Sequence, residues 1–171
     1  MRRELNEAEE WFELWSARAT ELAGTPVTDL AIAQGFAVTT RQVLECGMGH
    51  ADIRREVRRG TWSRPARGVL SPVVVTASGS DGDRQRHAMQ ATAAARVRPD
   101  HVITGGSACV LHALPVLHLP EEAVLTSRDD DTRGLHRGAH IRTAALPATA
   151  ITNWFGAPVA TAARTVVDQP D

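Results

Sequence analysis

A chain of 171 residues, 43% hydrophobic and 23% charged, has the balance of a globular protein that buries a core, which excludes disordered and fibrous classes. The formal net charge is -1 and every basic residue is arginine, so Schiff-base and phosphate-loop lysine chemistry is excluded. Cys46 and Cys109 make neither a disulfide framework nor a paired-cysteine zinc motif. No stretch approaches the ~20 apolar residues of a membrane span, so the expected location is cytoplasmic.

In chain order, residues 4–23 place Leu5, Ala8, Phe12, Trp15, Ala19 and Leu22 at spacings of three and four, which predicts one amphipathic helix. Residues 1–24 sum to -3 and are treated as a separate N-terminal element. Trp11, Phe12 and Trp15 offer a surface for docking within the chain or on a second copy, which makes this helix a candidate homodimer element. Gly24 and Pro26 end it. A short helix is expected from Val27 to about Gly35. The next is capped by Thr39 or Thr40 and stopped at Cys46-Gly47, and a third runs from about Ala51 to Arg59 and is stopped by Gly60. Trp62, Val69 and Leu70 then flank a turn containing Pro65 and Gly68, the pattern of a hairpin. Three short helices followed by a hairpin are the order of a winged helix-turn-helix, assigned to residues 25–75.

Residues 76–83 are small and polar and read as a linker opening a second unit, 76–171. There the expectations are a helix over 84–97, a strand at 101–104, and a helix from Ser107, its N-cap, to Ala113. Strands are expected at 116–118, 123–126, 139–142 and 150–154, a solvated loop over 128–133, and a helix from Ala162. The fold class is therefore α+β, a winged helix followed by a small mixed α+β domain.

Charge patterning carries the functional signal. Residues 25–70 hold seven arginines against four acids, a local +3 inside a chain of net -1. Arg54 and Arg58 are four apart, as are Arg55 and Arg59, while Ile53 and Val57 fill the opposite face. The third helix is thus read as a recognition helix. His50, Asp52, Arg54 and Arg55 are base-edge candidates, and Arg58, Arg59, Arg64 and Arg67 are phosphate candidates. Thr39, Thr40, Arg41 and Gln42, at the start of the preceding helix, complete the predicted DNA-binding set. The bland alternative is a solvated basic face paired with Glu56 and the acidic first helix.

Other constellations are weak. Cys109-x-x-His112 lacks a second ligand pair, His136 and His140 lie in glycine-containing loop, and Asp129-Asp130-Asp131 lacks the glycine and closing glutamate of a calcium loop. Ser107 and His112, five apart, do not share a helix face. No catalytic residue, metal or cofactor is expected.

Val38-Thr-Thr-Arg-Gln-Val-Leu, Ile53-Arg-Arg-Glu-Val-Arg-Arg-Gly-Thr-Trp, Arg67-Gly-Val-Leu, Thr104-Gly-Gly-Ser-Ala-Cys-Val-Leu-His-Ala-Leu and Pro158-Val-Ala-Thr-Ala-Ala-Arg-Thr-Val-Val-Asp together resemble, in order and spacing, the actinobacterial AbiEi-like antitoxins of type IV toxin-antitoxin systems. The resemblance implies an N-terminal winged helix binding inverted repeats in its own promoter and a C-terminal domain that supports repression and antitoxin activity. The partners it implies are double-stranded DNA of the chain's own promoter and, in those relatives that have one, a cognate toxin; some relatives are regulators without an evident toxin. The absence of an apolar span separately predicts no membrane partner. Gly105-Gly106 stand where the family motif carries histidine and arginine, so a role attached to that histidine does not carry over. Two alternatives remain open: a protein-interaction module that neutralises a toxin by contact, and a remnant of a nuclease-fused protein, since the chain stops at Asp171.

Overall fold

The computed structural model describes residues 7–21, 26–127 and 133–168. The first helix, α1 (Glu7–Glu21), lies inside the predicted span; Leu5 and Leu22 are outside the described residues. Its aromatic rings dock within the chain. Trp11 and Trp15 are buried, the Phe12 ring stacks on Phe155 with centroids 3.5 Å apart, and Trp15 meets Phe36 edge-on at 5.9 Å.

Helix α2 (Pro26–Ala33) starts on a proline, whose missing N–H costs nothing in a first turn, and buries Val27, Thr28 and Ala31. The exit runs through two left-handed residues, Gly35 and Phe36, both at φ 63. Glycine takes that conformation freely, whereas at Phe36 it costs about 1 kcal/mol, offset by complete burial of the ring. Val38 and Thr39, expected to lead into a helix, form a two-residue strand, β1 (Val38–Thr39). Then come α3 (Thr40–Glu45) and α4 (His50–Arg59). Gly60, left-handed at φ 73, ends α4 by donating its N–H to the Glu56 and Val57 carbonyls.

Strands β2 (Ser63–Ala66) and β3 (Val69–Ser71) form the wing, and β1 pairs with β3, giving the order β1-β3-β2. Pro65, expected in the turn, lies inside β2. It is tolerated there because β2 is the edge strand and its register shifts between Ser63 and Ala66, so no ladder bond is lost at the proline. The turn itself is Arg67-Gly68, with Gly68 at φ 79. Val27, Ala31, Val43, Ile53, Trp62 and Leu70 close the core beneath these helices.

Residues 79–83 are not linker. They are the first turn of α5 (Gly79–Arg96), where Asp81 accepts from the Gln85 side chain one turn later, at 2.8 Å, and lies at the positive end of the helix. Gly82 backs against the Ala77 carbonyl, where a Cβ would collide. Buried Ala88, Ala91, Ala94 and Ala95 let α5 lie close against a six-stranded mixed sheet.

That sheet is built from β4 (His101–Ile103), β5 (Ala123–Ser127), β6 (Gly134–Leu135), β7 (Ala139–Thr143), β8 (Ile151–Trp154) and β9 (Ala157–Ala160), in the order β6-β7-β5-β4-β9-β8. The β5–β7 and β4–β9 pairs are parallel and the others antiparallel. Helices α6 (Gly105–Leu111) and α7 (Ala162–Val167) complete the unit. Four expectations change here. Thr104, not Ser107, is the N-cap residue of α6; residues 116–118 form no strand; Ala150 closes a 3-10 turn ahead of β8; and β6 and β9 are additional strands. Of the expected 128–133 loop, 128–132 lie outside the described residues. The architecture is α+β, with a winged helix-turn-helix ahead of a mixed sheet.

Candidate nucleic-acid interface

Helix α4 has two faces set by its sequence. Ile53 is buried and Val57 half-buried against the winged-helix core, while Arg54, Arg55, Arg58 and Arg59 all face solvent with His50 at the exposed first turn. A Gly49 N–H donates to Asp52 at 3.3 Å, so the carboxylate serves the orphan donors at the helix start.

The basic residues fall into two electrostatic groups. Arg55 pairs with Asp52 at 2.8 Å and Glu56 at 3.3 Å, Arg59 with Glu56 at 3.6 Å, and Arg41 with Glu45 at 2.8 Å. The Thr61 hydroxyl, then Arg55 and Arg59, hold the Glu56 carboxyl below the usual carboxylate range. By contrast, Arg54, Arg58, Arg64 and Arg67 are exposed and have no ion pair or hydrogen bond among the described residues. They can accept a phosphate without giving up a partner.

Thr39 and Gln42 are engaged locally. The Gln42 N–H donates to the Thr39 hydroxyl at 3.2 Å and the Thr39 N–H to the Gln42 side-chain oxygen at 2.9 Å, a reciprocal cap on α3. The Thr40 N–H and hydroxyl both donate to the Gly68 carbonyl, at 2.8 and 3.2 Å, and so fasten the start of α3 to the wing turn. Arg41, with its side chain 87% exposed, faces solvent beside Glu45. Of the twelve predicted residues, then, α4 gathers His50, Asp52, Arg54, Arg55, Arg58 and Arg59, and the wing carries Arg64 and Arg67. Thr39 and Gln42 have a capping duty.

Thr61 is not among the predicted residues. Its hydroxyl reaches the Glu56 carboxylate at 2.8 Å and the Glu56 carbonyl at 3.0 Å, fixing the acid that holds Arg55 and Arg59. The only trace in the sequence is a threonine immediately after the helix-ending glycine. Among the described residues no group of three or more His, Cys, Asp or Glu side chains is placed to hold a metal, and no helix is long and apolar enough to cross a membrane.

No curated protein and no solved structure matches the chain. A family described as "Transcriptional regulator, AbiEi antitoxin" matches residues 26–72, the stretch from the start of α2 to just past β3. Three helices, a wing and the arginine face all lie inside that stretch, and over residues 26–72 the chain is similar to the AbiEi antitoxin transcriptional regulators.

Proposed function

We propose that the chain is a sequence-specific repressor of its own promoter, binding double-stranded inverted repeats through α4 and the wing without catalysing a reaction. In this reading residues 25–75 are the DNA-binding unit, residues 76–171 serve repression and toxin contact, and the protein works in the cytoplasm. The observation that carries it is the set of arginines without a partner among the described residues, Arg54 and Arg58 on α4 and Arg64 and Arg67 on the wing, with Ile53 anchoring the other face of α4. Arg55 and Asp52 enter base contact only by exchanging one another for base edges.

Promoter binding followed by fluorescence anisotropy across a salt series tests it. Arg54→Ala with Arg58→Ala is expected to weaken binding and to reduce the salt slope by about 1 for each phosphate no longer neutralised. Unchanged affinity and slope in the double variant, or no binding of promoter DNA by the parent protein, overturns the reading.

A toxin contact has its own support. Leu117 and Leu135, 89% and 66% exposed, line a groove of about 670 Å³ with Val116, Pro120 and Val124. Large apolar side chains left in water beside a concavity mark a protein-docking surface. Leu117→Glu with Leu135→Glu in the full chain is expected to abolish protection when co-expressed with a toxin that the parent chain neutralises, with promoter binding retained. Full protection by that variant removes this surface from the reading.

A further inference from the structure

A second basic feature lies away from α4. Where the wing turn, the residues after α5 and the β6–β7 turn meet, there is a cleft of about 520 Å³. Arg67, Arg98 and Arg137 line it together with His101 and His136, and none of the described residues in its lining carries a carboxylate. Val97 and Ile141 supply apolar wall. The arginines come from three separate elements, so their convergence is a product of the fold and not of helical spacing.

Arg98 is held in place: its guanidinium donates to the His136 carbonyl at 2.6 Å and to the Ala94 carbonyl at 3.4 Å. Burial, and then the charge of Arg137, lower its hold on its proton. Arg137 itself sits in the left-handed region at φ 48, and neither it nor Arg67 has a partner among the described residues. Three guanidiniums around one concavity repel one another, and no acidic side chain among the described residues stands in its wall to relieve them. Planar guanidinium forks suit phosphate oxygens, and the volume falls within the range of small-molecule pockets. A duplex backbone presents phosphates along a convex surface, whereas these cations surround a hollow with apolar wall. That geometry favours a free ligand carrying phosphate on a less polar body.

We propose that this cleft binds a small phosphate-bearing anion of nucleoside monophosphate size, and that occupancy draws Arg67 away from DNA. The coupling to DNA rests on the function proposed above; the binding site does not. Calorimetric titration of the full chain with adenosine monophosphate, and separately with inorganic pyrophosphate, is expected to saturate in the millimolar range or below. Arg137→Gln and Arg67→Gln are each expected to weaken binding about tenfold, the loss of one charge-assisted hydrogen bond, while Arg54→Ala leaves it unchanged. Thermal unfolding checks that each variant is folded, and two variants on different elements guard against a single misfolded one.

Absence of saturation with both probes, or equal binding by parent and both variants, overturns the site. So does dependence on Arg137 that shows only with duplex DNA, which makes the cleft a backbone contact. Because the titrations contain no DNA, a protein that binds adenosine monophosphate but not promoter DNA fails the repressor reading alone. One that binds promoter DNA but neither probe fails the cleft alone. If adenosine monophosphate binds, its addition is expected to weaken promoter binding in the parent and to have no effect in Arg67→Gln; an equal effect in both overturns the coupling.

Discussion

A buried histidine makes part of the fold's stability depend on pH. His87, on α5, is buried, and its Nε2 lies 2.8 Å from the Ser107 hydroxyl, which also accepts the Val124 N–H at 2.8 Å. This three-way contact joins α5, α6 and β5 around a neutral imidazole, and burial pushes the His87 pKa down to about 4. The folded-state value lies below the ordinary one, so the unfolded chain binds the proton more readily between pH 6.5 and about 4. Stability from this group is therefore complete above pH 6.5 and falls with decreasing pH, by about 1.4 kcal/mol per unit and about 3 kcal/mol across the window. Urea unfolding at pH 7 and pH 4.5 reads it, with His87→Gln as the reference that removes the titration and leaves the carboxylates. A steeper acid loss in the parent than in His87→Gln is the expected outcome, and parallel losses remove His87 from the account. Ser107 and His112 are neighbours along the chain but not in space as partners. His112 meets the Ala160 carbonyl at 2.7 Å, and the true partner of Ser107 lies on another helix, beyond the reach of local spacing.

Elements whose determinants are local are readable in the sequence alone. The two faces of α4 follow from the four-residue spacing of its arginines and the placement of Ile53 and Val57, and the stop at Gly60 follows from the left-handed turn that glycine allows. Strands β1 and β6, two residues each, carry no pattern long enough to see; β1 exists because Val38 and Thr39 pair with Leu70 and Val69, some thirty residues on. The first turn of α5 hides among small polar residues because its support is the Asp81–Gln85 bond and the fit of Gly82 against Ala77. The same division runs through the interface. Basic residues on α4 are legible, but the capping duty of Thr39 and Gln42 competes with the DNA role that their position suggests. Thr39→Ala is expected to cost about 1 kcal/mol in urea unfolding, the usual value of an N-cap. At a temperature where the variant is fully folded, promoter affinity should stay near that of the parent. A large loss of affinity with unchanged stability would make Thr39 a DNA contact.

At the scale of the whole molecule, α1 and Arg96 tie the winged helix to the six-stranded sheet. Arg96, at the end of α5, donates to the Gln34 carbonyl after α2 at 3.0 Å and to the Phe155 carbonyl in the β8–β9 turn at 3.2 Å. Above that bridge the Phe12 ring lies between the two sides, stacked on Phe155 at 3.5 Å and 5.1 Å from Phe36, which precedes β1. Gly35 leaves room for this arrangement, since a Cβ there would come within 3.1 Å of Phe155 and the residue is left-handed. The chain's net charge of -1 thus conceals a division of labour: an acidic helix whose aromatic side is packed inward, next to a segment of +3 whose arginines Arg54, Arg58, Arg64 and Arg67 are exposed and have no partner among the described residues. If the Phe12 contact couples the two sides, Phe12→Ala should cost about 2 kcal/mol, less than a fully buried phenylalanine because this ring is only half-buried. Unfolding followed by tryptophan emission, which reports Trp62 beneath the wing as well as Trp11, Trp15 and Trp154, should shift together with far-ultraviolet circular dichroism and remain one transition. Separation of the two curves in Phe12→Ala would mean that Arg96 alone cannot hold the sides together, and an unshifted midpoint would show that the stacked pair contributes nothing to their coupling.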